Sequence, residues 1–195
     1  NAAAKDGTVI GMISRSVAPV PIIGGSGSDG AKFDSSKFVW LGSLNNEVSV
    51  AAAWHTTGIK TIEDAMRREL LVGATAFGVD DSTVFPAVTN ALFGTKFKWV
   101  LGYRGGTDLN LAMERGETFG RVGWSWSSIK SVNADWLRDN KINILLQLSL
   151  AKHPDLPNVP LVMDLARNER ERQALELIFS RQAMGRPFLA PPDVP

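Results

Sequence analysis

Short apolar runs that alternate with helix-forming segments are the feature of this sequence that most constrains its fold. The predicted strands of this region are Val48–Trp54, Leu70–Gly73, Phe97–Leu101, Thr118–Val122 and Ile142–Leu148. The predicted helices between them are Thr61–Glu69, Ser82–Leu92, a segment from Thr107 to Gly116, and Ser127–Asp139. Such alternation predicts an α/β fold in which a parallel sheet carries helices on both faces and the crossovers are right-handed.

Two helix starts carry capping signals. Thr61 precedes an apolar run and is followed three residues later by Asp64, which is a variant of the capping box. Ser82 is the predicted N-cap of the next helix, and Pro86 falls in the first turn, where proline is tolerated. These signals predict where both helices begin.

The two ends of the chain depart from this alternation. Val9–Ser14 and Phe38–Leu44 are predicted strands, and a proline-rich loop at Lys152–Pro160 ends the regular pattern. A helix at Glu169–Ser180 and an extended piece at Pro187–Pro192 follow. The extended piece has no partner strand nearby in sequence, so we expect it to pair with the strand at Val9–Ser14. Two lobes joined by crossing strands are therefore predicted.

Composition excludes several classes of function. The 195 residues contain 21 Lys and Arg against 20 Asp and Glu, so no charge surplus points to nucleic acid or to a membrane surface. The absence of cysteine excludes a thiol nucleophile, a disulfide framework and a Cys-ligated metal. No His-x-x-x-His or Glu-x-x-His pair is present, and we expect neither a metal nor a cofactor. The opening residues resemble the end of a helix, which suggests a mature or trimmed fragment.

Three loops between strands and helices are the predicted ligand-binding elements. In an open parallel sheet, ligands bind at the carboxyl ends of the strands, and the loops at Gly73–Ser82, Gly102–Thr107 and Gly123–Ser127 all follow strands. Their Gly, Ser and Thr residues suit a carboxylate at helix N-termini, although tight turns use the same residues. Tyr103, Trp124 and Trp126 are predicted walls, and Arg104 is a candidate for a charge-assisted contact. The Gly-rich segment at residues 24–30 lacks the Lys-Ser/Thr of a P-loop and is interpreted as a flexible loop.

A serine hydrolase is a further alternative. Ser125 lies where a nucleophile elbow would place its serine, but Ser127 replaces the closing glycine of that motif. A triad would need His153 with Asp135 or Asp155 as its acid. We favour a protein without catalytic activity.

Several segments together resemble the solute receptors of tripartite tricarboxylate transporters. The residues that carry the resemblance are Met12-Ile13-Ser14, Phe38–Gly42, the Gly73–Ser82 loop, Tyr103–Gly106, His153–Pro160 and the closing Leu189–Pro195. The most specific part is a strand, then Leu-Pro-x-Val-Pro, a helix, and Leu-Ala-Pro-Pro-x-x-Pro. The resemblance covers essentially all of the chain but only the middle of the family pattern. Family segments are expected before Asn1 and after Pro195.

The resemblance implies a two-lobed clamshell of the periplasmic-binding-protein class, an α/β fold with parallel or mixed sheets and an incomplete first lobe. The expected first lobe comprises residues 1–47 and 178–195, and the second lobe comprises residues 48–177. The implied function is that of a periplasmic receptor, which binds a small organic acid between the lobes and delivers it to a membrane permease. The incomplete chain is expected to associate with another copy of itself through its exposed sheet edge. A ligand-sensing domain of a transcription regulator is the alternative, since it shares the fold.

The resemblance and the three loops together define the predicted ligand site. Its residues are Ser14, Gly73, Ala74, Thr75, Phe77, Gly78, Val79, Asp80, Ser82, Tyr103, Arg104, Gly105, Gly106, Trp124 and Ser125. The family commonly has a small hydroxyl residue where this chain has Val79, and Asp80 and Asp81 follow it. This extra acid leaves the ligand open between a plain di-acid and an acid that also carries an amine.

Overall fold

The computed structural model describes residues 4–23, 33–75, 78, 80–191 and 193–194. The segment at residues 24–30, interpreted above as a flexible loop, lies outside these ranges. Strands are β1 (Gly11–Met12), β2 (Val39–Ser43), β3 (Ser49–Trp54), β4 (Leu70–Gly73), β5 (Phe97–Val100), β6 (Gly120–Ser125), β7 (Ile142–Leu148) and β8 (Pro187–Ala190). Helices are α1 (Val20–Ile23), α2 (Ile62–Arg67), α3 (Asp81–Phe93), α4 (Gly106–Glu114), α5 (Trp126–Val132), α6 (Ala134–Arg138) and α7 (Glu169–Phe179). None of these described helices is long and apolar enough to cross a membrane.

The two ends of the chain form one sheet, as the sequence predicted. Strand β8 lies between β1 and β2 and is antiparallel to both, with Gly11 opposite Leu189 and Trp40 also opposite Leu189. The return of the last strand to the strand near Val9–Ser14 is thereby confirmed. The lobe boundaries at residues 47/48 and 177/178 stay a prediction, as does association of two copies through this sheet.

The central strands are mixed rather than parallel, which corrects the all-parallel expectation for residues 48–148. Strand β3 lies between β6 and β7 and is antiparallel to both, whereas β4 and β5 pair in parallel. The physical reason is that the chain reaches β3 through a short connection from β2 and not through a helical crossover, so the crossover rule does not fix its direction. Strands β6 and β7, which α5 and α6 connect, do run in the same direction.

A bulge in β6 changes which side chains share a face. Val50 lies opposite Trp124 and Ala51 lies opposite Val122, so Gly123 is an extra residue without a partner on β3, and its φ is +79°. The inserted residue shifts the two-residue alternation of the strand. Arg121 and Trp124, which would face opposite sides of a regular strand, therefore lie on the same face.

Helices cover both faces of the β6-β3-β7 sheet, as expected. On one face, Ala51 and Leu146 pack in a core with Phe85 of α3 and Phe179 of α7, whose ring centroids are 4.7 Å apart. On the other face, Trp124 and Trp136 belong to a second core with Ile129 of α5 and Met113 of α4. The small side chains Ala51, Ala52 and Ala53 of β3 are fully buried and let both helix layers approach closely.

The helix starts follow the predicted capping chemistry in one case and not in the other. Thr61 caps α2, and both hydrogen bonds of a capping box with Asp64 are present. Ser82, in contrast, is not the N-cap of α3. Asp80 takes that position and accepts a hydrogen bond from the Ser82 backbone N–H at 2.8 Å. An aspartate caps as well as a serine, so the sequence did not distinguish between two candidates that lie two residues apart.

Replacing Thr61 with alanine is expected to lower the free energy of unfolding by about 1 kcal/mol, because the Asp64 N–H of the first turn loses its acceptor. Urea denaturation followed by circular dichroism measures this change. The variant Thr61→Ser keeps the hydroxyl and serves as the control, which should stay close to the wild type. Equal destabilisation of both variants would contradict the capping role.

Candidate functional site

A cavity of about 550 Å³ opens where the end of β6 meets the N-termini of α3 and α4. This is the region that the three predicted loops were expected to form. The residues lining it are Ser14, Arg15, Thr75, Asp80, Asp81, Ser82, Arg104, Gly105, Gly106, Thr107, Leu109, Asn110, Arg121, Val122, Gly123, Trp124, Ser125, Ser128, Val132 and Asn133. Its volume is in the range of sites for small-molecule ligands.

Hydroxyl groups hold the β4–α3 loop against the start of α3. The Thr75 backbone N–H donates to Ser82 Oγ at 3.2 Å, and the two hydroxyl oxygens are 3.4 Å apart. Asp80 is the N-cap of this helix. The N-terminus of a helix of 13 residues, with its partial positive charge, therefore faces the cavity beside two hydroxyl groups.

A buried carboxylate shared by two arginines closes one side of the cavity. Asp81 Oδ2 lies 2.8 Å from Nη2 of Arg15, and its Oδ1 lies 3.3 Å from Nη1 of Arg181. Burial raises the pKa of Asp81, and the positive charges of Arg15 and Arg181 oppose that rise. Nη2 of Arg15 also donates to Ser49 Oγ at 3.0 Å. This cluster joins the segment after β1 and the segment after α7 to the start of α3.

Arg121 is the most unusual cation of the cavity. Its guanidinium lies 4.3 Å from the ring centroid of Trp124, and its Nη1 donates to Asn110 Oδ1 at 2.6 Å and to the Gly106 carbonyl at 3.4 Å. Among the described residues, no carboxylate forms an ion pair with it. Burial lowers the pKa of Arg121 to about 9, and the negative charge of Asp80 only partly offsets this effect. The group still carries its charge at neutral pH.

The structure brings most of the predicted site residues together. Those that line the cavity are Ser14, Thr75, Asp80, Ser82, Arg104, Gly105, Gly106, Trp124 and Ser125. Phe77 and Val79 lie outside the described residues. That the lining residues bind a ligand stays a prediction.

Four other predicted residues lie away from the cavity lining. Gly73 packs tightly, since an added Cβ would lie 2.6 Å from Leu109 Cδ2, and Ala74 is fully buried. Gly78 and Tyr103 are also absent from the described lining, and the Tyr103 hydroxyl lies 3.5 Å from Glu117 Oε2. Trp126, an expected wall, is instead buried in the second core. Sequence position at a strand end thus did not separate cavity residues from packing residues.

Sequence reasoning missed Arg15, Asn110 and Arg121, whereas Gly123 belonged to the third predicted loop. Arg15 directly follows Ser14, a residue of the predicted ligand site, and this position next to Ser14 could have indicated Arg15. Arg121 lies within the predicted strand at Thr118–Val122, where a charged residue between buried apolar neighbours was a second signal. The contribution of Asn110, on the second turn of α4, had no signal in the sequence.

The hydrolase alternative has no support in the geometry. Ser125 Oγ accepts a hydrogen bond from Arg15 at 3.4 Å, and no histidine of the described residues contacts it. His153 lies on a separate cavity of about 320 Å³, where its Nδ1 accepts a hydrogen bond from the Asp155 backbone N–H at 3.0 Å. A serine without a base at hydrogen-bonding distance is not activated as a nucleophile.

Solved structures share the fold of this chain. The periplasmic binding protein BugD matches 100% of the chain at 12% identity with a TM-score of 0.71, and the match covers 60% of BugD. MatC from Rhodopseudomonas palustris with bound malate matches 99% of the chain at 18% identity with a TM-score of 0.63, and the match covers 61% of MatC. A TctC solute binding protein from Polaromonas without ligand matches 95% of the chain at 15% identity with a TM-score of 0.60, and the match covers 72% of it. No family model and no curated protein matches the sequence.

These comparisons define the class of fold. The chain has the α/β fold of periplasmic solute-binding proteins, and the resemblance to the receptors of tripartite tricarboxylate transporters is confirmed at the level of the fold. The matches cover 57% to 72% of the solved chains, so the chain corresponds to part of that fold. The solved neighbours are solute-binding proteins, a class that is not enzymatic.

Proposed function

We propose that this chain is the main part of a periplasmic receptor, which binds a small organic acid in the cavity and delivers it to a tripartite tricarboxylate-type permease. One observation carries the proposal. Arg121 lines the cavity as a half-buried cation without an ion-pair partner among the described residues. A charge that is partly withdrawn from water and has no counterion costs free energy, and a carboxylate bound in the cavity would relieve that cost.

Two further observations support the same function. The N-terminus of α3 brings its partial positive charge and the hydroxyl groups of Thr75 and Ser82 to another part of the cavity lining. The neighbour MatC was solved with malate, a small carboxylic acid. Delivery to a permease and residence in the periplasm are inferred from the class of the neighbours.

A thermal-shift screen of the purified chain against small organic acids tests the proposal. A ligand present at about 100 times its Kd should raise the free energy of unfolding by about 2.7 kcal/mol through mass action. Malate and its uncharged diamide form a matched pair, and we expect the acid alone to raise Tm. If no acid of the panel raises Tm, the proposed function is wrong.

Replacing Asp80 with asparagine separates the two ligand classes that the sequence left open. Asparagine caps a helix as well as aspartate does, so α3 should keep its start while the cavity loses one negative charge. A plain di-acid should then bind more tightly, and an amino acid should bind more weakly, because the carboxylate that attracts its ammonium group is gone.

Calorimetry with malate and with aspartate measures both changes. Asp139→Asn removes a carboxylate from an exposed turn outside the cavity lining and serves as the control. An Asp80 variant with unchanged affinity for both ligands would show that Asp80 does not face the ligand.

A further inference from the structure

The guanidinium of Arg121 uses only one of its edges in contacts with the protein. Both of its hydrogen bonds, to Asn110 Oδ1 and to the Gly106 carbonyl, start from Nη1. Among the described residues, Nε and Nη2 donate to no protein atom, and none provides a carboxylate within 4.0 Å of the group. The edge that joins Nε and Nη2 presents two parallel N–H groups, which match the spacing of the two oxygens of a carboxylate.

The orientation of this group is fixed before any ligand arrives. The ring of Trp124 supports one face of the guanidinium at 4.3 Å, and Asn110 holds its Nη1 at 2.6 Å. Asn110 is in turn held by Asn133, because Asn110 Nδ2 donates to Asn133 Oδ1 at 2.8 Å. The bulge at Gly123 places Arg121 and Trp124 on the same face of β6, which makes the stacking contact geometrically accessible. A side chain held on two sides loses little rotamer entropy when it binds.

The other cations of the cavity are differently placed. Arg15 is already neutralised by Asp81 at 2.8 Å. Arg104 lines the cavity but is exposed, so water screens its charge. Arg121 is thus the cation at which a carboxylate gains most from an ion pair.

We infer that Arg121 binds one carboxylate of the ligand side-on through Nε and Nη2, and that it selects short-chain di-acids over mono-acids. This inference rests on the proposed function and deepens it, because it names the ligand class and the residue that determines it. The second carboxylate of such a ligand meets the hydroxyl groups of Thr75 and Ser82 at the start of α3. The two anionic groups of the ligand then meet two separate parts of the cavity lining, a guanidinium and a pair of hydroxyl groups.

The experiment is calorimetry with succinate and with its monoamide, succinamate, on the wild type and on three variants. In Arg121→Gln, affinity for succinate should fall roughly ten- to hundredfold, because a charge-assisted pair of hydrogen bonds is lost. The single carboxylate of succinamate also loses this contact in Arg121→Gln, and the variant should bind succinate and succinamate about equally, so the preference for the di-acid disappears. Arg121→Lys keeps the charge and most of the stem but not the planar edge, and it should recover only part of the loss.

The control variant is Arg172→Gln, which removes the same charge from an exposed position on α7 outside the cavity lining. Its affinity for succinate should change by at most about fivefold. Succinate binding that is equal in the wild type, Arg121→Gln and Arg121→Lys would overturn the inference and leave the proposed function standing. Absence of succinate binding to the wild type, when another class of acid raises Tm, would also overturn the inference. Absence of any acid binding would overturn both.

Discussion

Replacing Asp81 with alanine is expected to lower the free energy of unfolding by about 3 to 5 kcal/mol. The carboxylate is buried and pairs with both Arg15 and Arg181, whose side chains are 10% and 3% exposed. Its removal leaves two positive charges buried close together with no counterion between them. Water cannot screen the repulsion between desolvated like charges, so this repulsion raises the free energy of the folded state.

Urea denaturation of the purified variant measures this loss. The matched control is Glu69→Ala, which removes the partner of Lys98 in an ion pair whose side chains are 55% and 66% exposed. That change should cost at most about 1 kcal/mol, since surface ion pairs contribute little. If both variants lost the same amount, the three-residue cluster around Asp81 would not be a stabilising element of the fold.

Replacing Gly123 with alanine is expected to produce a second large loss, of about 3 kcal/mol or more, from strain and overpacking together. The φ of this residue is +79°, and an added Cβ would lie 2.6 Å from the carbonyl oxygen of Asp81. That contact is with backbone, so no change of rotamer relieves it. The bulge and the first turn of α3 would have to move apart, and we also expect loss of ligand binding.

The variant Gly116→Ala separates the cost of backbone strain from the cost of overpacking. Its φ is +73°, nearly the same as that of Gly123, but no atom lies within 4 Å of the added Cβ. Backbone strain alone should cost about 1 to 2 kcal/mol there. Chemical denaturation of both variants gives the comparison, and equal losses would mean that the close approach of β6 to α3 contributes nothing.

Local signals predicted much of the fold. The capping box at Thr61, the apolar runs of β4 and β7 and the alternation around them lie close in sequence, and local preferences were sufficient to place them. The direction of β3 was not predictable in this way. It depends on β3 lying between β6 and β7, which are more than 60 residues away along the chain, and no pattern within β3 itself reports its neighbours.

The candidate site, too, was predictable only in part from local signals. Thr75, Ser82 and Arg104 were accessible from the rule that strand-to-helix loops meet at one sheet edge. Arg15 and Asn110 come to the cavity from elements that this rule does not mention. Arg121 lies inside a predicted strand and not in a loop, so the same rule did not select it, and its position beside Trp124 depends on the unpaired Gly123.

The bulge at Gly123 also bears on how ligand specificity can diverge if the proposed function holds. The position of Arg121 relative to Trp124 is set by the number of residues in β6, a property of the backbone that replacement of Asn110 or Asn133 leaves unchanged. Substitutions at Asn110 or Asn133 can change the charge of the cavity lining and the position of the Arg121 guanidinium. The backbone of β6 stays the same. Selection for new solutes can therefore act on a few tethering side chains and leave the folding of the sheet intact.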